Sequence, residues 1–162
     1  MQKLVRYTSL PAVSGARYTS SLKYVLRLEI PMPTTRFLNP ATLAKPAGYT
    51  HVAEVKGGRT IYVSGQVPND KDGNVVGAGD FAAQTVQVFE NLKLALSAVG
   101  ATFDNVVKAN MYVTDMSKIQ VLREIRLRYY GANAPVSTLV EIAKLARPEF
   151  MIEIEVIAVL PD

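Results

Sequence analysis

The 162-residue chain contains no cysteine, no tryptophan and a single histidine, His51. Disulfides and thiolate-held zinc are thereby excluded, and one imidazole is too few for a histidine-based metal site. There is no apolar run long enough for a membrane span or a secretory core, and no internal repeat or low-complexity tract. What remains is enough chain to bury a core of its own in one folded unit, without a covalent or metallic staple.

The formal net charge is +4, but it is unevenly distributed. Residues 1 to 34 hold Lys3, Arg6, Arg17, Lys23 and Arg27 against Glu29 alone, so the whole excess lies there and the rest balances. A neutral body gives little counterion-release drive toward phosphates, which argues against nucleic acid as a partner. The first 31 residues are rich in arginine and serine and poor in acid, the composition of an organellar transit peptide. Met32 opens a segment of different character and offers a second start. Residues 1–34 are therefore read first as a non-native N-terminal extension, next as a flexible arm and last as a targeting leader, and 35–162 as the folded domain.

From Thr35 to Gly48, prolines and scant periodicity point to an ordered loop or short edge segment. His51–Val55 and Thr60–Ser64 read as strands around Gly57-Gly58, a pair suited to a tight hairpin. Pro68 to Asn74 is dense in turn residues, but its acidic spacing does not match a calcium loop. Asp80 caps a helix whose apolar stripe is Phe81, Thr85, Val88, Phe89, Leu92, Leu96 and Val99, and Gly100 stops it. After a strand at Val106–Val113, Ser117 and Gln120 form a capping box for a second helix that turns Ile119, Leu122, Ile125 and Tyr129 inward and ends at Gly131.

Two β-branched runs follow, Thr138–Leu145 and Met151–Val159, read as an antiparallel hairpin around Arg147-Pro148. In the second run Ile152, Ile154 and Val156 alternate with Glu153 and Glu155, so one face is apolar and the other acidic. The element order indicates an α+β layer with two helices on one face of a sheet. Met111, Val113, Thr138, Val140, Leu145 and the last strand supply more apolar positions than two helices can cover. The other face is therefore expected to be closed by association into a homo-oligomer.

Gly48-Tyr49, Ile61-Tyr-Val-Ser-Gly-Gln-Val-Pro68, Asp80-Phe-Ala-Ala-Gln-Thr85, Glu90-Asn-Leu-Lys93, Tyr112-Val-Thr-Asp115 and Ile152-Glu-Ile-Glu-Val-Ile-Ala158 carry a resemblance. From about residue 35 to the end the chain resembles the RidA family, also called YjgF or L-PSP. The resemblance implies a chorismate-mutase-like α+β protomer with a mixed sheet, a homotrimer, a cytoplasmic location and a small-molecule pocket at each subunit interface. Catalytic members hydrolyse enamine and imine intermediates to 2-oxo acids and ammonia, without a cofactor or metal. In them an arginine in a Pro-Ala-Arg-Ser segment holds the substrate carboxylate. The matching segment here is Pro135-Val136-Ser137-Thr138, which places the chain with an arginine-lacking subgroup.

Ser137 stands in the arginine's place and Leu139 where a small residue is common. A hydroxyl offers one neutral hydrogen bond in place of a permanent, two-pronged charge. At an effective dielectric near 20 that charge is worth at most about 4 kcal/mol to a carboxylate about 4 Å away. Arg123 matches a pocket-side asparagine of some members and is a candidate replacement anchor; its alternative is an ordinary solvated helix face shared with Glu124, Arg126 and Arg128. Tyr49 and Ser64 carry over as pocket residues, and Glu153 as the pocket glutamate that orients or deprotonates water. His51 is read as a strand residue without a proton-transfer role.

Two functions from different classes follow: a hydrolase of reactive carbon–nitrogen metabolites, or a trimeric ligand-binding or stress-response protein without turnover. Ribonuclease and translation-inhibitor activities, also ascribed to the family, are disfavoured by the neutral body and the lack of a histidine pair.

Overall fold

The computed structural model describes residues 33–132 and 134–162, so residues 1–32 of the extension read as 1–34 lie outside the described residues, while its last residue, Thr34, opens the first strand. The chain runs β1 (Thr34–Leu38), β2 (Val52–Lys56), β3 (Arg59–Gln66), α1 (Phe81–Ser97), β4 (Val106–Val113), α2 (Ile119–Tyr130), β5 (Val136–Glu141) and β6 (Ile152–Leu160). Apart from β1, which falls in the segment read as loop or edge, the order of strands and helices is the one expected. Four strands form the main sheet in the order β3-β6-β4-β5, and β1 and β2 pair apart from it.

The strand partners depart from the sequence reading in two places. Gly57 and Gly58 both adopt positive φ, as a tight reversal requires, yet β2 pairs with β1 while β3 pairs with β6. The hairpin at the other end of the chain is not formed either. β4 lies between β5 and β6, parallel to the first and antiparallel to the second. The connection from Glu141 to Ile152 is too long for a tight hairpin, and the chain uses it to cross over the end of β4. β4, α2 and β5 thus form a β-α-β unit, the connection that a parallel pair requires.

Both helices cover one face. Asp80 caps α1 as expected, its carboxylate accepting from the backbone N–H groups of Ala82 and Ala83. Phe81, Thr85, Val88, Phe89, Leu92 and Leu96 are buried, whereas Val99 lies past the helix end and is 37 % exposed. At the start of α2 the cap differs. Asp115, not Ser117, accepts the free N–H, through a short 3-10 turn that precedes the helix. The buried line along α2 is Leu122, Ile125, Arg126 and Tyr130, with Ile119 and Tyr129 half-buried.

Against the helices the sheet presents Ala109, Met111 and Val113 of β4 and Ile152, Ile154, Val156 and Ala158 of β6. Met111 and Val113 are thus committed to the core and do not contribute to the opposite face, contrary to the expectation from the sequence. Phe89 is the hub of the aromatic packing: its ring stacks on Tyr129 at 4.6 Å and meets Phe103 and Tyr130 at 6.0 and 5.7 Å. Tyr129 donates its hydroxyl to Glu90, and burial together with that carboxylate pushes its pKa up to about 12.

Phe89→Ala is expected to cost about 3–5 kcal/mol by urea unfolding, while Val99→Ala stays within about 0.5 kcal/mol. Equal losses at the two positions would contradict this division of the stripe.

Candidate functional site

The open face of the sheet follows from the period of two. When Ile152, Ile154 and Val156 point to the helices, Glu153, Glu155 and Ile157 must point away. Register then sets Tyr112 beside Glu153, Asn110 beside Glu155, and Lys108 and Tyr62 on either side of Ile157. Asn110 and the Tyr112 hydroxyl both donate to Glu155 Oε1, at 2.7 and 3.2 Å. Lys108 donates to Thr138 on the edge strand. A groove of about 330 Å³ runs along this face, lined by Tyr62, Ser64, Lys108, Asn110, Glu155 and Ile157 among others.

Glu153 lies at the end of this row, packed over Gly65. A methyl group at Gly65 would collide with the Glu153 carboxylate, so only glycine in the irregular Ser-Gly-Gln end of β3 leaves room for it. Burial, and then the neighbouring charge of Glu155, hold the Glu153 carboxyl above the usual range. Tyr62 is 78 % exposed and Val140 is 38 % exposed on the same side, an apolar surface interleaved with acids and amides.

A second concavity lies on the helix side, between α2 and the start of β5. Thr50 ties the preceding loop there: its N–H donates to the Pro135 carbonyl and its hydroxyl to that of Ala134. The loop carries Gly48 at φ +78°, and the guanidinium of Arg126 lies directly on it, where a side chain would not fit. Arg126 is only 6 % exposed and donates to the Ala47 carbonyl at 2.9 Å. Arg123 stands one turn earlier on the same helix. Together with Ala47, Gly48, Leu127, Tyr130, Gly131, Ala132 and Ala134, the two arginines line a cavity of about 310 Å³. Burial, and then the charge of Arg123, lower the pKa of Arg126.

Comparison with known proteins matches these features to a family. Residues 41–160 fit the family model described as endoribonuclease L-PSP. A RutC family protein of Pyrococcus horikoshii is 36% identical over 115 residues, spanning 70% of this chain and 89% of that one. Among solved structures, a protein of unknown function of the conserved Rid family from Yersinia pestis matches with a TM-score of 0.73 and 36% identity. That match covers 78% of this chain and 98% of the other. RidA from an Antarctic Psychrobacter matches with a TM-score of 0.59 and 34% identity, covering 72% and 92%. The chain belongs to the RidA/YjgF/L-PSP family.

Within the single chain of this RidA-family protein, the residues singled out from the sequence fall into separate groups. Ser64 and Glu153 belong to the open sheet face. Arg123 lines the cavity beside α2, and Tyr49, half-buried, follows Gly48 at its rim with its ring edge-on to His51 at 5.2 Å. His51 donates its ring Nε2 to the Ala44 carbonyl at 2.8 Å, which occupies it in holding the loop. Ser137 sits opposite Ala109 and Leu139 opposite Met111, on the helix side of the edge strand, and Leu139 packs against the core. Neither lines the cavity or the groove.

Two residues of the cavity escape the sequence reading, Arg126 and Tyr130. The signal is present: Leu122, Arg126 and Tyr130 recur at intervals of four, which places the arginine on the buried stripe and not on a solvated face. Among the described residues no group of three or more histidine or carboxylate side chains is placed to hold a metal ion, and no helix is long and apolar enough to cross a membrane.

A raised carboxyl pKa means that the fold favours the protonated form. The stabilising contribution of Glu153 is complete below the ordinary glutamate range and is lost as pH rises through the raised value. Glu153→Gln is therefore expected to be more stable than the parent at neutral pH, with the advantage shrinking toward about pH 4, in urea unfolding at equal chain concentration. An advantage unchanged with pH would count against this environment for Glu153.

Proposed function

We propose that this RidA-family chain works as a homotrimer that holds a small carboxylate-bearing metabolite between subunits and hydrolyses its enamine or imine group. The observation that carries the proposal is the division of the site in one protomer. The carboxyl group suited to proton transfer, Glu153, faces away from the helices, whereas the arginine suited to an anion, Arg123, lies on α2 and lines the cavity there. A second copy laid on the open sheet face brings one half-site to the other, and covers Tyr62 and Val140 in doing so.

In this arrangement Arg123 orients the substrate carboxylate. Glu153, whose pKa is drawn upward toward the working range, accepts a proton from water as its oxygen adds to the imine carbon. It returns that proton to nitrogen, and then carries the hydroxyl proton of the resulting carbinolamine to the same nitrogen as the carbon–nitrogen bond breaks, so that imine and water become a carbonyl and ammonia; an enamine enters the same path as its imine tautomer. The Ser64 hydroxyl is available to hold the attacking water or the departing nitrogen. Desolvation at the seam raises Glu153 further, because the charged form is the one disfavoured by loss of water. Every proton moved in this scheme passes through one carboxyl group.

A second reading, ligand binding without turnover, draws on Ser137, which stands where the resemblance puts the carboxylate-holding arginine. The two readings separate in an assay of 2-oxo acid release coupled to an amino-acid oxidase. The hydrolase reading predicts a rate above the protein-free control, and a drop of about 10²–10⁴-fold in Glu153→Gln. A parental rate equal to the control would leave only the binding reading. The shared site has its own test. In a random mixture of Arg123→Ala and Glu153→Gln chains, one seam of each mixed trimer retains both native residues, so activity returns to about a quarter of the parental rate. A mixture no better than either variant alone would mean that the site does not span two chains.

A further inference from the structure

Arg126 is the least exposed charged side chain in the described structure, and its surroundings leave it electrically uncompensated. Its one hydrogen-bond acceptor among the described residues is the Ala47 carbonyl, a neutral group. The ion pairs formed among those residues involve neither Arg126 nor Arg123. A guanidinium taken out of water without a counter-charge costs several kcal/mol, and a like charge one turn away adds to that cost. The cavity wall around the two arginines is otherwise apolar, formed by alanines, glycines, Leu127 and the Tyr130 ring.

Tyr130 closes the inner wall of the cavity, its ring packed against Phe89 and Phe103. An anionic acceptor in the cavity would satisfy both guanidinium groups together. The C-terminal end of α2 also borders the space and opposes an anion with about half a negative charge, which the two full positive charges exceed. A volume of about 310 Å³ lies at the small end of the range for ligand pockets.

We propose that Arg123 and Arg126 form a binding site for a small dianion, either a phosphate monoester or a short dicarboxylate. The proposal rests on the reading of Arg123 as an anion anchor and narrows its ligand class. A single carboxylate leaves one of the two arginines uncompensated, whereas two negative charges neutralise both. On this view the serine at position 137 does not empty the site of charge. The positive groups come from α2, and their number selects substrates that carry a second anionic group.

The test is titration calorimetry on the full chain at low salt with three probes: propionate, succinate and methyl phosphate. Succinate or methyl phosphate should bind about tenfold or more tightly than propionate, and the preference should weaken as salt is raised. The tighter of these two probes distinguishes a dicarboxylate from a phosphate source. Arg123→Met, at a half-buried position, should reduce dianion binding by about tenfold while leaving the unfolding midpoint close to the parent's. Arg126→Met is a less clean probe, because the guanidinium also packs on Gly48. Propionate binding as tightly as either dianion would overturn the dianion assignment and leave the proposed hydrolysis standing. Binding of none of the three up to about 10 mM would overturn it together with Arg123 as anchor. Turnover is measured separately, by 2-oxo acid release.

Discussion

The alternation along β6 is the constraint on which the rest of the structure depends. This strand is central, with β3 on one side and β4 on the other, so its side chains must serve two environments at once. Ile152, Ile154, Val156 and Ala158 close the core beneath the helices, and the same pleat sends Glu153 and Glu155 to the opposite face. A slip of one residue would bury two carboxylates and expose the isoleucines, so the core itself fixes where the acids stand. The carboxyl group of the proposed site is held in place by the hydrophobic effect acting on its neighbours.

Much of this is legible in the chain because it is local. The Asp80 cap, the α1 stripe and the β6 alternation each depend on residues within one element, and periodicity reports them directly. Strand pairing is not local. The β-branched runs in β5 and β6 look like a hairpin when read side by side, and nothing within either run reveals that β4 lies between them. The same limit applies to Gly57-Gly58, which turn the chain without joining paired strands. Ser117 has the right residue type for a cap, but Asp115, two positions earlier, supplies the carboxylate.

The candidate site shows a similar division. Family resemblance identifies Tyr49, Ser64, Arg123, Ser137, Leu139 and Glu153, and the protomer distributes them over both faces of the sheet. Ser137 and Leu139 take the helix side by register, with Leu139 packed into the core. Arg126 reads as part of a solvated face because a charged residue is normally exposed. It is buried because Gly48 leaves a flat place for its guanidinium and because it lies on the Leu122–Tyr130 line of α2. In the proposed site, two cations on α2 supply the positive charge that the resemblance places at position 137.

A shared site requires a second copy of the chain over the open face, since Tyr62 and the Glu153–Glu155 row are left uncovered in one protomer. Sedimentation equilibrium tests this most directly. A particle of three times the 17.7 kDa chain mass, falling toward the monomer when a charge is placed at Tyr62, is the predicted result. A stable monomer would contradict it, because no seam would then exist for Arg123 and Glu153 to share.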